Sequence, residues 1–115
     1  MLNDVRDTQF TMPSAIELDL AIMSRQGGRS YNEDACGHWN SDQQLCCVVA
    51  DGAGGHGGGD IASKLAVQHM LRQCAVQPVS GTARLQQMLR DTNRHIISQR
   101  QAGSTREHMH STVVS

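Results

Sequence analysis

Two aspartates and an arginine mark out the chemistry this chain could do. Asp51 ends the apolar run LCCVVA and opens residues 52–59, which hold six glycines, one alanine and His56. Asp34 closes the polar segment RSYNED, directly after Glu33 and five residues after Arg29. Carboxylates at strand ends are hard oxygen donors of the kind Mg²⁺ and Mn²⁺ select. A glycine beside one of them, Gly52, lets the main chain approach closely enough to lend a carbonyl. Arg29 could meet a phosphate with a planar fork of donors.

The glycine run admits a second reading. Residues 52–57, GAGGHG, satisfy G-x-G-x-x-G between an apolar strand and a helical pattern, the arrangement that cradles a dinucleotide. The match is thin, because residues 72–84 contain no Asp or Glu to hold a ribose. A P-loop fails as well, since Lys64 does not follow a glycine. Asp51 itself argues against both: its carboxylate would repel the anion that the glycine amides were meant to hold. A divalent cation removes that conflict.

These residues need elements to position them. Ile16, Leu18, Leu20 and Ile22 alternate with more polar neighbours, the period of a half-buried strand. The loop RQGGRSYNEDA follows, then ACGHW, the turn residues NSDQQ and LCCVVA read as two hairpin strands, the second apolar enough to be central. Adjacent strands could thus bring Asp34 and Asp51 to one edge. After the glycines, apolar residues at Ile61, Ala62, Leu65, Ala66, Met70 and Cys74 predict a helix that stops before Pro78, with Asp60 suited to its N-terminal end. A second helix is expected over residues 82–101, with Leu85, Met88, Leu89, Thr92 and Ile96 on one side and Gly103 near its stop. The segment HSTVVS then starts another strand, and residues 1–14 read as a loose leader. Strands, two helices and a further strand predict an α+β layered fold.

Composition narrows the classes further. A chain of 115 residues suits one compact domain or part of one. A net charge of −1 leaves no basic footprint for nucleic acid. No apolar stretch approaches the roughly 18 residues that cross a bilayer, and the start lacks a secretory layout, so no membrane is expected and the cytoplasm is the expected compartment. Cys36, Cys46, Cys47 and Cys74 contain no C-x-x-C pair, and Cys46 and Cys47 point to opposite faces of a strand, which predicts reduced thiols. Three aromatic residues are few for a self-sufficient core.

The pairing of RSYNEDACG with VVADGAGGHGGGDIAS resembles the metal-dependent protein phosphatases of the 2C type, in particular their bacterial members. Their pattern is Arg-x-x-Asn-Glu-Asp followed by Ala-Asp-Gly-x-Gly-Gly-His-x-x-Gly-x-x-Ala-Ser. The resemblance runs over residues 16–115. It implies an α-β-β-α sandwich, two antiparallel sheets flanked by helices, and hydrolysis of phosphoserine and phosphothreonine in proteins at two Mn²⁺ or Mg²⁺ ions that activate a water. By position, Asp34 would bind one ion, Asp51 would bridge both and the Gly52 carbonyl would serve the second. Glu33 matches a metal or outer ligand, and Arg29 would hold the substrate phosphate. The implied partners are phosphorylated Ser/Thr proteins, the substrates of a bacterial Ser/Thr kinase.

The resemblance also has gaps. Further metal-binding aspartates of that family, in an Asp-Gly and a Gly-x-x-Asp-Asn segment, have no counterpart here, so the chain reads as the N-terminal portion of a catalytic domain. Ala53 stands where animal members place a proposed general acid, and His56 reads as a loop-ordering residue. The rival reading is a non-catalytic phosphoprotein-binding or interaction module with the same fold.

Overall fold

Alternating strands and two helical stripes become seven elements in the computed structural model, which describes residues 6–11, 17–54, 57–101 and 110–114. In chain order they are β1 (Arg6–Thr11), β2 (Glu17–Ile22), β3 (Asp34–Asn40), β4 (Leu45–Ala53), α1 (Gly59–Val76), α2 (Thr82–Gln101) and β5 (His110–Val114). The strands form two antiparallel sheets, β1-β2 and β3-β4-β5, with β4 central in the second. This is an α+β fold, as expected.

Residues 6–11, expected within a loose leader, form β1 and pair with β2 from Arg6↔Ile22 to Thr11↔Glu17. Strand pairing satisfies backbone donors and acceptors whatever the side-chain pattern, so a polar segment beside the open edge of β2 can complete it. Periodicity had no signal to offer there. Ile16, His56 and Gly103 lie outside the described residues.

The core sits between β3-β4-β5 and the helices. Val48 and Ala50 of β4, Ala62, Ala66, Val67, Met70 and Cys74 of α1, and Met88 and Ile96 of α2 are all buried there. Val67 extends the stripe expected for α1, whereas Ile61 and Leu65 are only partly buried at its margin. Leu89, expected on the buried side of α2, is 39% exposed, because Met88, Thr92 and Ile96 take the line that meets α1. Thr92 is a buried hydroxyl with partners: Gln73 Nε2 donates to it at 3.0 Å, and His69 Nδ1 lies 2.9 Å away. Burial foremost, and then the stacked His95, hold the His69 imidazole below its usual pKa.

Helix α1 stops where the sequence requires. Gln77 leaves the helix with extended backbone (φ −146°, ψ 125°) immediately before Pro78, whose ring disfavours a helical predecessor. At the other end Asp60 Oδ1 accepts from the Gly57 N–H at 3.0 Å, which ties the glycine turn to the first helical turn. All four cysteines are free thiols. Cys46 and Cys74 meet in the core with their sulfurs 2.6 Å apart, and burial together with that neighbour pushes the Cys46 thiol up to about 12.

Candidate functional site

Strand register decides where the two aspartates go. In the β3–β4 ladder Asp34 stands directly opposite Asp51, and in the β4–β5 ladder Thr112 stands opposite Asp51 on its other side. Along β4, Cys46, Val48 and Ala50 are buried towards α1, while Val49 and Asp51 are exposed on the other face. Directly opposed residues share a face, so Asp34 and Asp51 lie side by side on the face turned away from the helices. Both border a cavity of about 420 Å³ together with Arg25, Arg29, Asn32 and Glu33. The structure thus brings Arg29, Asp34 and Asp51, singled out from sequence, into one place.

The loop before β3 is held by its own side chains. Asn32 Oδ1 accepts from the Asp34 N–H at 3.0 Å, and Asn32 Nδ2 donates to Ser24 Oγ at 2.8 Å. Through these two bonds Asn32 sets the entry of Asp34 into the strand. The Gln26 side-chain amide donates to the Arg29 carbonyl, closing a turn in which Gly27 adopts φ +66°. On the other side, Ser111 Oγ and Thr112 Oγ1 both reach the Asp51 carbonyl, at 3.3 and 3.4 Å. Sequence reasoning missed Asn32 and Ser24 as positioning groups. The available signal was an Asn two residues ahead of an Asp, the spacing of an Asx turn.

The glycines also let two stretches of backbone meet. A Cβ on Gly52 would overlap the Gly59 carbonyl and come within 2.8 Å of the Glu33 carbonyl oxygen. One on Gly59 would lie 2.8 Å from the Ala53 nitrogen and 2.9 Å from Glu33 Oε1. The strand end and the helix start therefore press backbone against backbone, and the Gly52 N–H donates to the Glu33 carbonyl at 3.1 Å. Glu33 is wedged into this junction with a buried Oε1 that has no hydrogen-bond partner among the described residues.

Charge crowds at the carboxylate pair. Desolvation raises the Asp34 carboxyl above its usual value, and the charge and hydrogen bond of Asp51 push it the same way, opposed by Arg29. Two adjacent carboxylates in this state gain from a cation that neutralises both, and oxygen donors are the right type for Mg²⁺ or Mn²⁺. The residues present therefore fit a divalent ion as partial ligands. Among the described residues no group of three acidic, imidazole or thiol side chains converges to hold a metal.

Comparison with known proteins identifies the family. The family model for protein phosphatase 2C matches residues 24–115, from Ser24 beside the Asn32 bond to the end of the chain. The chain belongs to the protein phosphatase 2C family. It is also similar to the serine/threonine phosphatase stp of Listeria innocua serovar 6a and to that of Listeria monocytogenes serotype 4b, each 51% identical over 41 residues. Those stretches cover 35% of this chain and 16% of each relative's length. Among the described residues no helix is long and apolar enough to cross a membrane.

Proposed function

We propose that this chain carries part of the active site of a metal-dependent serine/threonine protein phosphatase, which hydrolyses phosphoserine and phosphothreonine in proteins. The observation that carries the reading is the direct cross-strand pairing of Asp34 with Asp51 beside Arg29. In this reading Asp34 and Asp51 hold Mn²⁺ or Mg²⁺, two ions in the complete site, with the Gly52 carbonyl and Glu33 as further oxygen donors. Such ions, when bound, supply the positive charge that acidifies water and offsets charge on the phosphoryl group.

The chain's own residues then have defined tasks. Asp34 and Asp51 would serve as ligands in their ionised form, the form that a divalent cation favours. Arg29 pairs with phosphoryl oxygens through its guanidinium and keeps the ester over the carboxylates. Asn32 and the closed Gln26–Arg29 turn keep these groups in register. The partners are phosphorylated Ser/Thr proteins acted on by a bacterial Ser/Thr kinase, in the cytoplasm, with no role for nucleic acid or membrane.

The second reading, a phosphoprotein-binding module without turnover, draws support from the convergence of only two carboxylates among the described residues. Manganese-dependent release of p-nitrophenol from p-nitrophenyl phosphate separates the two. The phosphatase reading expects turnover that Asp51→Asn lowers by at least about 100-fold, since even residues behind metal ligands cost 10- to 100-fold. Phosphopeptide binding with no metal-dependent turnover would leave the module.

A further inference from the structure

Two arginines border the cavity that holds the carboxylate pair. Arg25 and Arg29 stand at the two ends of the RQGGR loop, and that loop is closed by the bond from the Gln26 amide to the Arg29 carbonyl. Gly27, at φ +66°, occupies the left-handed region that lets the chain double back between them. Both arginines are exposed, and among the described residues neither is engaged in a salt bridge. Their places differ. Arg29 acts on Asp34 electrostatically, whereas Arg25 also borders a neighbouring cavity of about 510 Å³ between the end of β2 and the outer face of β3 and β4. Arg25 therefore stands at the rim shared by both cavities.

We propose that Arg25 is a positioning residue for the phosphoryl group, forming with Arg29 a two-guanidinium clamp that selects a phosphomonoester dianion. The inference rests on reading the Asp34–Asp51 cavity as a phosphoester site. A phosphomonoester above its second pKa of about 6 carries close to two negative charges. Arg29 alone offers one planar fork and one positive charge to that dianion. A second guanidinium on the same closed loop supplies the rest through charge-assisted hydrogen bonds. An isolated surface arginine would have no such arrangement: here both cations border one cavity, and the Gln26–Arg29 bond closes the loop that carries them.

The test measures binding alone, by NMR titration of the 115-residue protein at pH 8 in Mg²⁺. Its two probes are methyl phosphate, a dianion at that pH, and dimethyl phosphate, a monoanion. Arg25→Ala is expected to weaken methyl phosphate about 10-fold, the worth of one charge-assisted hydrogen bond, and dimethyl phosphate by less than about 3-fold. Arg25→Lys should recover part of the loss, because it keeps the charge and gives up the planar fork. A urea melt matching wild type establishes that Arg25→Ala is folded. Equal losses for both probes, no loss for methyl phosphate, or a wild-type protein that binds neither probe overturns the clamp. Absence of manganese-dependent hydrolysis with Arg25-sensitive dianion binding retained would remove the enzyme reading and keep the clamp.

Discussion

The two faces of β4 are built from one nine-residue strand and have opposite duties. Towards α1 the strand presents Cys46, Val48, Ala50 and Gly52, all buried; on the other face Val49 is 55% exposed and Asp51 is open to solvent. The difference follows from the period of two in an extended chain. A sheet packed on one side can keep a repelling carboxylate pair on the other, because the stability comes from the face that carries no charge. The same strand thus transmits rigidity from the core to the site without burying the site.

The sharpest break of that comparison is at Gly52, where the packed face reaches the glycine turn. Gly52→Ala would drive a methyl group into the Gly59 carbonyl, and the obstacle is backbone, which cannot swing aside as a side chain can. The expected loss is on the order of 4 kcal/mol or more, comparable with the total stability of about 5–15 kcal/mol typical of a domain. Urea denaturation of the variant would show it. A midpoint within error of wild type would mean that β4 and α1 are not in backbone contact.

A pair of neighbouring valines sharpens the comparison at smaller scale. Val48 is 1% exposed and packs in the core, while Val49 is more than half exposed one residue later. Val48→Ala should cost about 2 kcal/mol, from two lost methyl groups and the cavity they leave. Val49→Ala should stay within about 0.5 kcal/mol. Equal costs from thermal or urea melts would mean that the outer face is covered as well as the inner one.

Much of this division could be read before any coordinates. The apolar run of LCCVVA announced a central strand, the stripe from Ala62 to Cys74 announced α1, and Pro78 announced its end. All three rest on local rules of periodicity and backbone sterics. Asp34 and Asp51 were legible as a pair because hairpin strands must be neighbours. What stayed hidden was non-local. The pairing of residues 6–11 with β2 depends on an open edge elsewhere in the chain, and no side-chain pattern records it. The reason for Gly52 and Gly59 was hidden too, since a close approach between strand end and helix start is a property of two backbones. Leu89 was misplaced for a third reason: an amphipathic stripe fixes a helix face only to within a residue, and the contact with α1 selects among its members.

The smallest expected effect isolates the charged face. The Asp34 carboxyl has a folded pKa above its ordinary value of 3.8, so just above that pH the native state holds the proton more tightly than the unfolded chain. Raising the pH through this window removes a proton that the fold prefers to keep, and stability falls rather than rises. Asp34→Asn removes that component, so the metal-free variant should lose less stability than wild type between pH 4 and neutrality. Added Mg²⁺ should reverse the trend in wild type, because a bound cation would favour the ionised Asp34 carboxylate, and the reversal should be absent in Asp34→Asn. Melting temperatures across that pH range, with and without the ion, decide the matter. A metal-free Asp34→Asn variant whose pH dependence matches wild type would show that the fold does not favour the protonated Asp34 carboxyl, and the outer face would then need another explanation for its paired acids.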